Sequence, residues 1–78
     1  MMRKKILLVD DAKTVLMMEQ MIVNQPEFQL ITAHDGEQAV ELALAEAPDL
    51  ILLDVIMPNM TGIEVLERVR SEPATKRV

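Results

Sequence analysis

The sequence has no cysteine, tryptophan or tyrosine, and its single aromatic residue is Phe28. Without cysteine there are no disulfides, no thiolate chemistry and none of the usual cysteine-bearing zinc sites. That fits a reducing compartment. With so few aromatics, aliphatic residues and seven methionines must fill the core, and methionine packs adaptably but specifies a core loosely. No apolar run approaches the roughly 18–20 residues of a membrane span. The N-terminal "MMRKKILLVDD" sets cations ahead of an apolar stretch, as a secretory signal does. That stretch runs only from Ile6 to Val9, and two acids close it. The reading is a cytoplasmic protein with no membrane partner. Cations are also missing from the middle of the chain: between Lys13 and Arg68 there are ten acids and no Lys or Arg. A nucleic-acid surface needs a basic patch on a folded element. The terminal cations read as solvated flanks, so nucleic acid is not an expected partner.

What is present is 78 residues, half of them hydrophobic, with a net charge of −5. This is one small domain over residues 1–78, burying about 60–65% of its unfolded surface and so only marginally stable. "KKILLVDD" reads as a buried strand, because its apolar run is short, branched and continuous. "AKTVLMMEQMIVN" follows as a helix, with Val15, Met18 and Ile22 expected inward and Leu16 and Val23 flanking them. Asp11 is placed to cap it and Pro26 to close it. "EFQLITA" is a second strand. "HDGEQAVELALAEA" is a second helix, started by Asp35 or Gly36 and ended by Pro48, with Val40, Ala43, Leu44 and Ala47 on one face. "DLILLDV" is a third strand. "TGIEVLERVRS" is a third helix, with Ile63, Leu66 and Val69 on one side and Glu64 and Arg68 paired outside. The order βαβαβα with short connections implies a parallel sheet with helices on its faces.

Parallel strands end on one edge of the sheet, where ligands of such folds bind. Asp10 and Asp11 end the first strand, and Asp54 comes at the end of the third. If those strands are neighbours, three carboxylates converge. Right-handed crossovers then put the first helix on one face and the other two on the opposite face. Clustered carboxylates repel one another, and a divalent cation removes the conflict. Oxygen ligands alone point to a hard ion such as Mg²⁺ or Ca²⁺, and two or three carboxylates with room for water suit Mg²⁺. A carboxylate beside such a metal is a competent nucleophile towards phosphorus.

The quoted segments "ILLVDD", "AHDGEQAVE" and "LILLDVIMPNMTGIEVL" together resemble the receiver domain of two-component response regulators. The paired acids, the A-x-D-G-x-x-A stretch and the D-x-x-M-P-x-x-x-G stretch stand in the family's order and spacing. The resemblance implies a flavodoxin-like α/β fold, here a (βα)₃ half with parallel strand order 2-1-3. It implies that Asp54 accepts a phosphoryl group from a histidine kinase or phosphotransfer protein. It implies Mg²⁺ held by Asp10, Asp11, Asp54 and the main-chain carbonyl of Ile56. Met57 and Pro58 would shape the loop after Asp54, and Gly62 would start a closely packed third helix. The resemblance implies a signalling module, not an enzyme.

Receiver domains carry five βα units, and this chain resembles the first three. The family's Ser or Thr after strand four, its Lys after strand five and its aromatic switch residue have no counterpart. Such preorganised charge is often the largest catalytic term, so impaired phosphotransfer is expected. Lys13 is the one cation near the acids and reads as solvated. In order 2-1-3 the apolar third strand lies at an edge, a template for further pairing. The expectation is a truncated receiver domain that forms homo-oligomers through that edge or by swapping elements. The alternative is a non-catalytic interaction module with a vestigial acidic site. Haloacid-dehalogenase-type phosphatases also use an Asp nucleophile on a parallel sheet, usually within a D-x-D pair, but position 56 here is Ile. Gly36 reads as a turn residue. His34 reads as a surface residue. Met17, Met18 and Met21 read as core or packing surface, and Thr61 as the cap of the third helix.

Overall fold

The computed structural model describes residues 3–54 and 60–73. Six elements follow one another: β1 (Lys4–Val9), α1 (Lys13–Val23), β2 (Phe28–Ala33), α2 (Gly36–Glu46), β3 (Leu50–Leu53) and α3 (Gly62–Ser71). The strands form one parallel sheet in the order β2-β1-β3. The fold is α/β, with the expected strand order 2-1-3. β1 is the middle strand, and its Leu7, Leu8 and Val9 are almost wholly removed from solvent. That explains why its apolar run is continuous: a strand covered on both faces has no polar side to alternate with.

Alternation along the strands divides the core in two. Leu7 and Val9 join Ala33, Ala39, Val40, Ala43, Val65 and Val69 beneath α2 and α3. Ile6 and Leu8 join Leu16 on the other face, beneath α1, with Leu30 and Leu52 beside them. The helices therefore lie as right-handed crossovers require.

Each helix buries a stripe rotated from the one its apolar spacing predicts. On α1, Val15, Met18 and Ile22 are 38%, 61% and 73% exposed, and Met17 and Met21 also face solvent. The stripe turned to the sheet is Leu16, Glu19, Gln20 and Val23. On α2, Val40 and Ala43 are buried as expected, but Leu44 and Ala47 are exposed, and Gly36 and Ala39 complete the buried stripe. On α3, Ile63 and Leu66 are exposed, and Gly62, Val65 and Val69 form the stripe. The displaced residues flank the buried stripes. On α3, Leu66 overhangs a hollow of about 170 Å³ along the outer side of β3, which among the described residues pairs only with β1.

Local signals set the helix ends. Asp35 caps α2 by accepting from the Gln38 N–H at 2.7 Å. The Gln38 side chain accepts in turn from the His34 N–H at 3.0 Å. Ala47 ends α2 in the left-handed region at φ 45°, donating to the Ala43 carbonyl at 3.0 Å just before Pro48. Thr61 caps α3 in a capping box with Glu64, so Glu64 reaches back to Thr61 instead of forward to Arg68. Asp11 does not cap α1. The N-cap is Ala12, with no side-chain cap; its N–H donates to Asp10 Oδ1 at 3.0 Å, which ties the turn before α1 to the end of β1.

Candidate functional site

The C-terminal edge of the sheet assembles the acids. β1 and β3 are in register with Val9 opposite Leu53, which makes Asp10 and Asp54 neighbours one step further on. The ladder continues through that step: the Asp54 N–H donates to the Val9 carbonyl and the Asp10 N–H to the Ala33 carbonyl, both at 3.1 Å. Strand alternation carries Asp10 and Asp54, two residues beyond Leu8 and Leu52, to the α1 side of the sheet. Asp11 follows in the turn into α1. One carboxylate oxygen from each of Asp10, Asp11 and Asp54 lies within 4.8 Å of the other two. Asp10 and Asp54 are half-buried and Asp11 is exposed.

Like charges at this spacing cost free energy, more so where two are partly withdrawn from water. The effect reaches a fourth acid. Glu19 on α1 has its pKa raised, first by burial and then by the negative charges of Asp10 and Asp54. Its Oε1 is shielded from solvent and has no hydrogen-bond partner. An all-oxygen donor set with surplus negative charge is what a small hard dication satisfies, so Asp10, Asp11 and Asp54 fit Mg²⁺. Asp10 also keeps its Oδ1 tied to the Ala12 N–H, which fixes the orientation of that carboxylate.

Lys13 is exposed at the first position of α1. Ile56, with Met57 and Pro58, lies outside the described residues. His34 is exposed, 3.7 Å from Asp35 through its Nδ1. Gly36 has no positive φ, so no left-handed backbone demands it. What demands it is Met60: a Cβ at position 36 would lie 2.7 Å from the Met60 Cβ. Gly36 therefore lets the N-terminus of α2 meet the residue that leads into α3. Glu19 was not singled out in the sequence. A lone acid in the apolar run "VLMMEQMIV" was the available signal. A shallow hollow of about 430 Å³ between α1 and β2 lies at the opposite edge of the sheet, beside Arg3 and Phe28, away from the acids.

Comparison with known proteins matches residues 6–78 to the response regulator receiver domain. The chain belongs to the receiver domain family. It is 44% identical over 71 residues to the alkaline phosphatase synthesis transcriptional regulatory protein PhoP of Bacillus subtilis, covering 91% of this chain and 30% of that protein. It is 40% identical over 70 residues to sporulation initiation phosphotransferase F of the same species, covering 90% of this chain and 56% of that protein. The receiver domain of the sensor histidine kinase PA1611 of Pseudomonas aeruginosa, solved with a magnesium ion coordinated in its active-site cleft, superimposes with a TM-score of 0.89. That likeness is at 26% identity and covers 97% of this chain and 62% of that one. The present receiver domain thus spans between about a third and two thirds of these relatives. No helix among its described residues is long and apolar enough to cross a membrane.

Proposed function

We propose that the chain is a cytoplasmic phosphoacceptor module of two-component signalling, in which Asp54 takes a phosphoryl group from a histidine kinase or phosphotransfer protein. The observation that carries this reading is the convergence of Asp10, Asp11 and Asp54 within 4.8 Å at the sheet edge of a receiver fold. Asp10, Asp11 and Asp54 would hold Mg²⁺, with the carbonyl of Ile56 as a further ligand. The bound ion would supply positive charge against the incoming phosphoryl oxygens. An Asp54 carboxylate oxygen attacks phosphorus, an O–P bond forms, and the bond from phosphorus to the donor breaks. The electron pair leaves with the donor: the histidine nitrogen of a phosphohistidine, or the acetate oxygen of acetyl phosphate. The half-buried position of Asp54 limits its rotamers, and the hydrogen bond from its N–H to Val9 anchors its backbone. The module acts on its own aspartate and turns over no separate substrate. Its cations cluster at the two ends, so it is proposed to bind no nucleic acid.

Incubation with acetyl phosphate and Mg²⁺, read by intact mass, tests this. One added phosphoryl group, lost in Asp54→Ala, is expected. No adduct, together with no beryllofluoride-induced change in the amide spectrum, would sink it.

A second reading is favoured by the outer side of β3. This four-residue apolar strand is paired on one side only among the described residues, and its own Leu50 and the neighbouring Leu66 of α3 are exposed. In this reading the 78-residue chain associates with itself through that edge or by exchanging elements, and the acids are vestigial. Light scattering after size exclusion separates the two. Association unchanged by Asp54→Ala and by Mg²⁺ removal supports the second reading, and a monomer at micromolar concentration refutes it.

A further inference from the structure

Glu19 is out of place for a carboxylate. It lies in mid-helix on the stripe of α1 that faces the sheet, between Leu16 and Val23, while five apolar neighbours on the same helix face solvent. One of its oxygens is hidden from water and accepts no hydrogen bond. An apolar residue at such a position would be buried at no electrostatic cost, so on packing grounds alone the acid is unfavourable there. The sheet face it meets is the one to which strand alternation brings Asp10 and Asp54, and the charges of both reach it. The three-acid group within mutual reach does not include Glu19, so it stands behind the trio and not in it.

We propose that Glu19 is an outer carboxylate of the divalent-cation site: it adds negative charge behind Asp10 and Asp54 and tightens Mg²⁺ binding without ligating the ion. The inference rests on the phosphoacceptor reading above. Magnesium keeps several of its waters when bound by few carboxylates, and those waters are strong donors. Glu19 is on the α1 stripe that faces the same side of the sheet as Asp10 and Asp54, so its charge adds to theirs at the ion. Groups in this outer position tune affinity by charge and by orienting the ligands. Glu19 is therefore a positioning residue. Its effect on metal-free stability and its effect on metal affinity have opposite signs, since its charge is unfavourable beside the trio until a cation arrives.

Calorimetric Mg²⁺ titration of the full 78-residue chain tests this, with Glu19→Gln and Asp11→Asn alongside and thermal melts in chelator as a second readout. The wild type is expected to bind one ion, and Asp11→Asn to lose measurable binding. Glu19→Gln is expected to bind about tenfold more weakly, the scale for one charge acting on a dication near a protein surface. That deficit should shrink as salt rises, and the metal-free melting temperature of Glu19→Gln should exceed the wild type's. Wild-type affinity in Glu19→Gln overturns the proposal. So does a joint fall of affinity and metal-free melting temperature, which marks a structural role only. A wild type that binds no Mg²⁺ overturns the site reading itself, a result distinct from either.

Discussion

Gly36 opens α2 directly against Met60, and Gly36→Ala puts a methyl group where there is no space for it. The added Cβ would stand 2.7 Å from the Met60 Cβ, 2.9 Å from its Cγ and 3.0 Å from its Sδ. Carbon atoms sit comfortably at about 3.5–4.0 Å, so the pair must part by about 1 Å. The end of the methionine chain can swing aside, but its Cβ moves only with the backbone. Met60 is itself in the core beneath α2 and α3, which resists that movement. Overpacking of this kind costs about 1–3 kcal/mol. Alanine's helix preference over glycine returns at most about 1 kcal/mol, and less at a first helical position. The net expectation is about 1 kcal/mol of destabilisation, a fall of about 4–8 °C in melting temperature for a domain this small. Circular-dichroism melts of the wild type, Gly36→Ala, Met60→Gly and the double variant measure it. The cost of Gly36→Ala should largely disappear in the Met60→Gly background, because the atom it strikes is gone. A Gly36→Ala protein that melts at or above the wild type would refute the reasoning.

Three further outcomes are expected. Thr61→Ala removes the side-chain half of the α3 capping box and should cost about 1 kcal/mol, read as a lower denaturation midpoint at unchanged slope. Lys5→Met removes the 3.2 Å contact of the ammonium with Glu46 Oε1 and its 3.3 Å hydrogen bond to the Glu46 carbonyl at the end of α2. Both side chains are about a third exposed, so the loss should be about 0.5 kcal/mol and fade in high salt. Glu19→Gln should change the pH dependence of stability in metal-free buffer. The folded-state pKa of Glu19 is raised above the ordinary 4.5, so the folded protein binds this proton more tightly than the unfolded chain. The stability it contributes is full below the ordinary glutamate range and lost as pH rises through the raised value. Glu19→Gln should therefore be the more stable protein at neutral pH, with the advantage vanishing near pH 4; an advantage that grows on acidification would contradict this.

The order of strands and helices was legible because the signals were local and strong. Ile6 to Val9 and Leu50 to Leu53 are continuous apolar runs, Pro26 and Pro48 punctuate the chain, and Asp35 and Thr61 cap helices where they stand. The acidic trio was legible because parallel strands bring their ends to one edge, whatever the side-chain detail. Helix orientation was not legible. α1 is apolar at Val15, Leu16, Met17, Met18, Met21, Ile22 and Val23, so nearly every side of it reads as buried. Which side meets the sheet depends on the crossover geometry, and that turned Glu19 inward. Leu66 and Ile63 on α3 were misplaced for a related reason: both flank the buried stripe, and Leu66 overhangs the side of β3 that has no described neighbour. The role of Gly36 lay beyond sequence reading because the contact that demands it is with Met60, far along the chain.

The convergence of the three aspartates on one dication is tested most directly by paramagnetic relaxation. Substoichiometric Mn²⁺ added to the isotopically labelled chain should broaden the amide signals of Asp10, Asp11, Ala12 and Asp54 first, and Asp11→Asn should abolish the effect. Broadening that begins instead at Glu46 and Asp49 on the opposite edge, or that spreads evenly over the exposed acids, would contradict a shared site at the ends of β1 and β3.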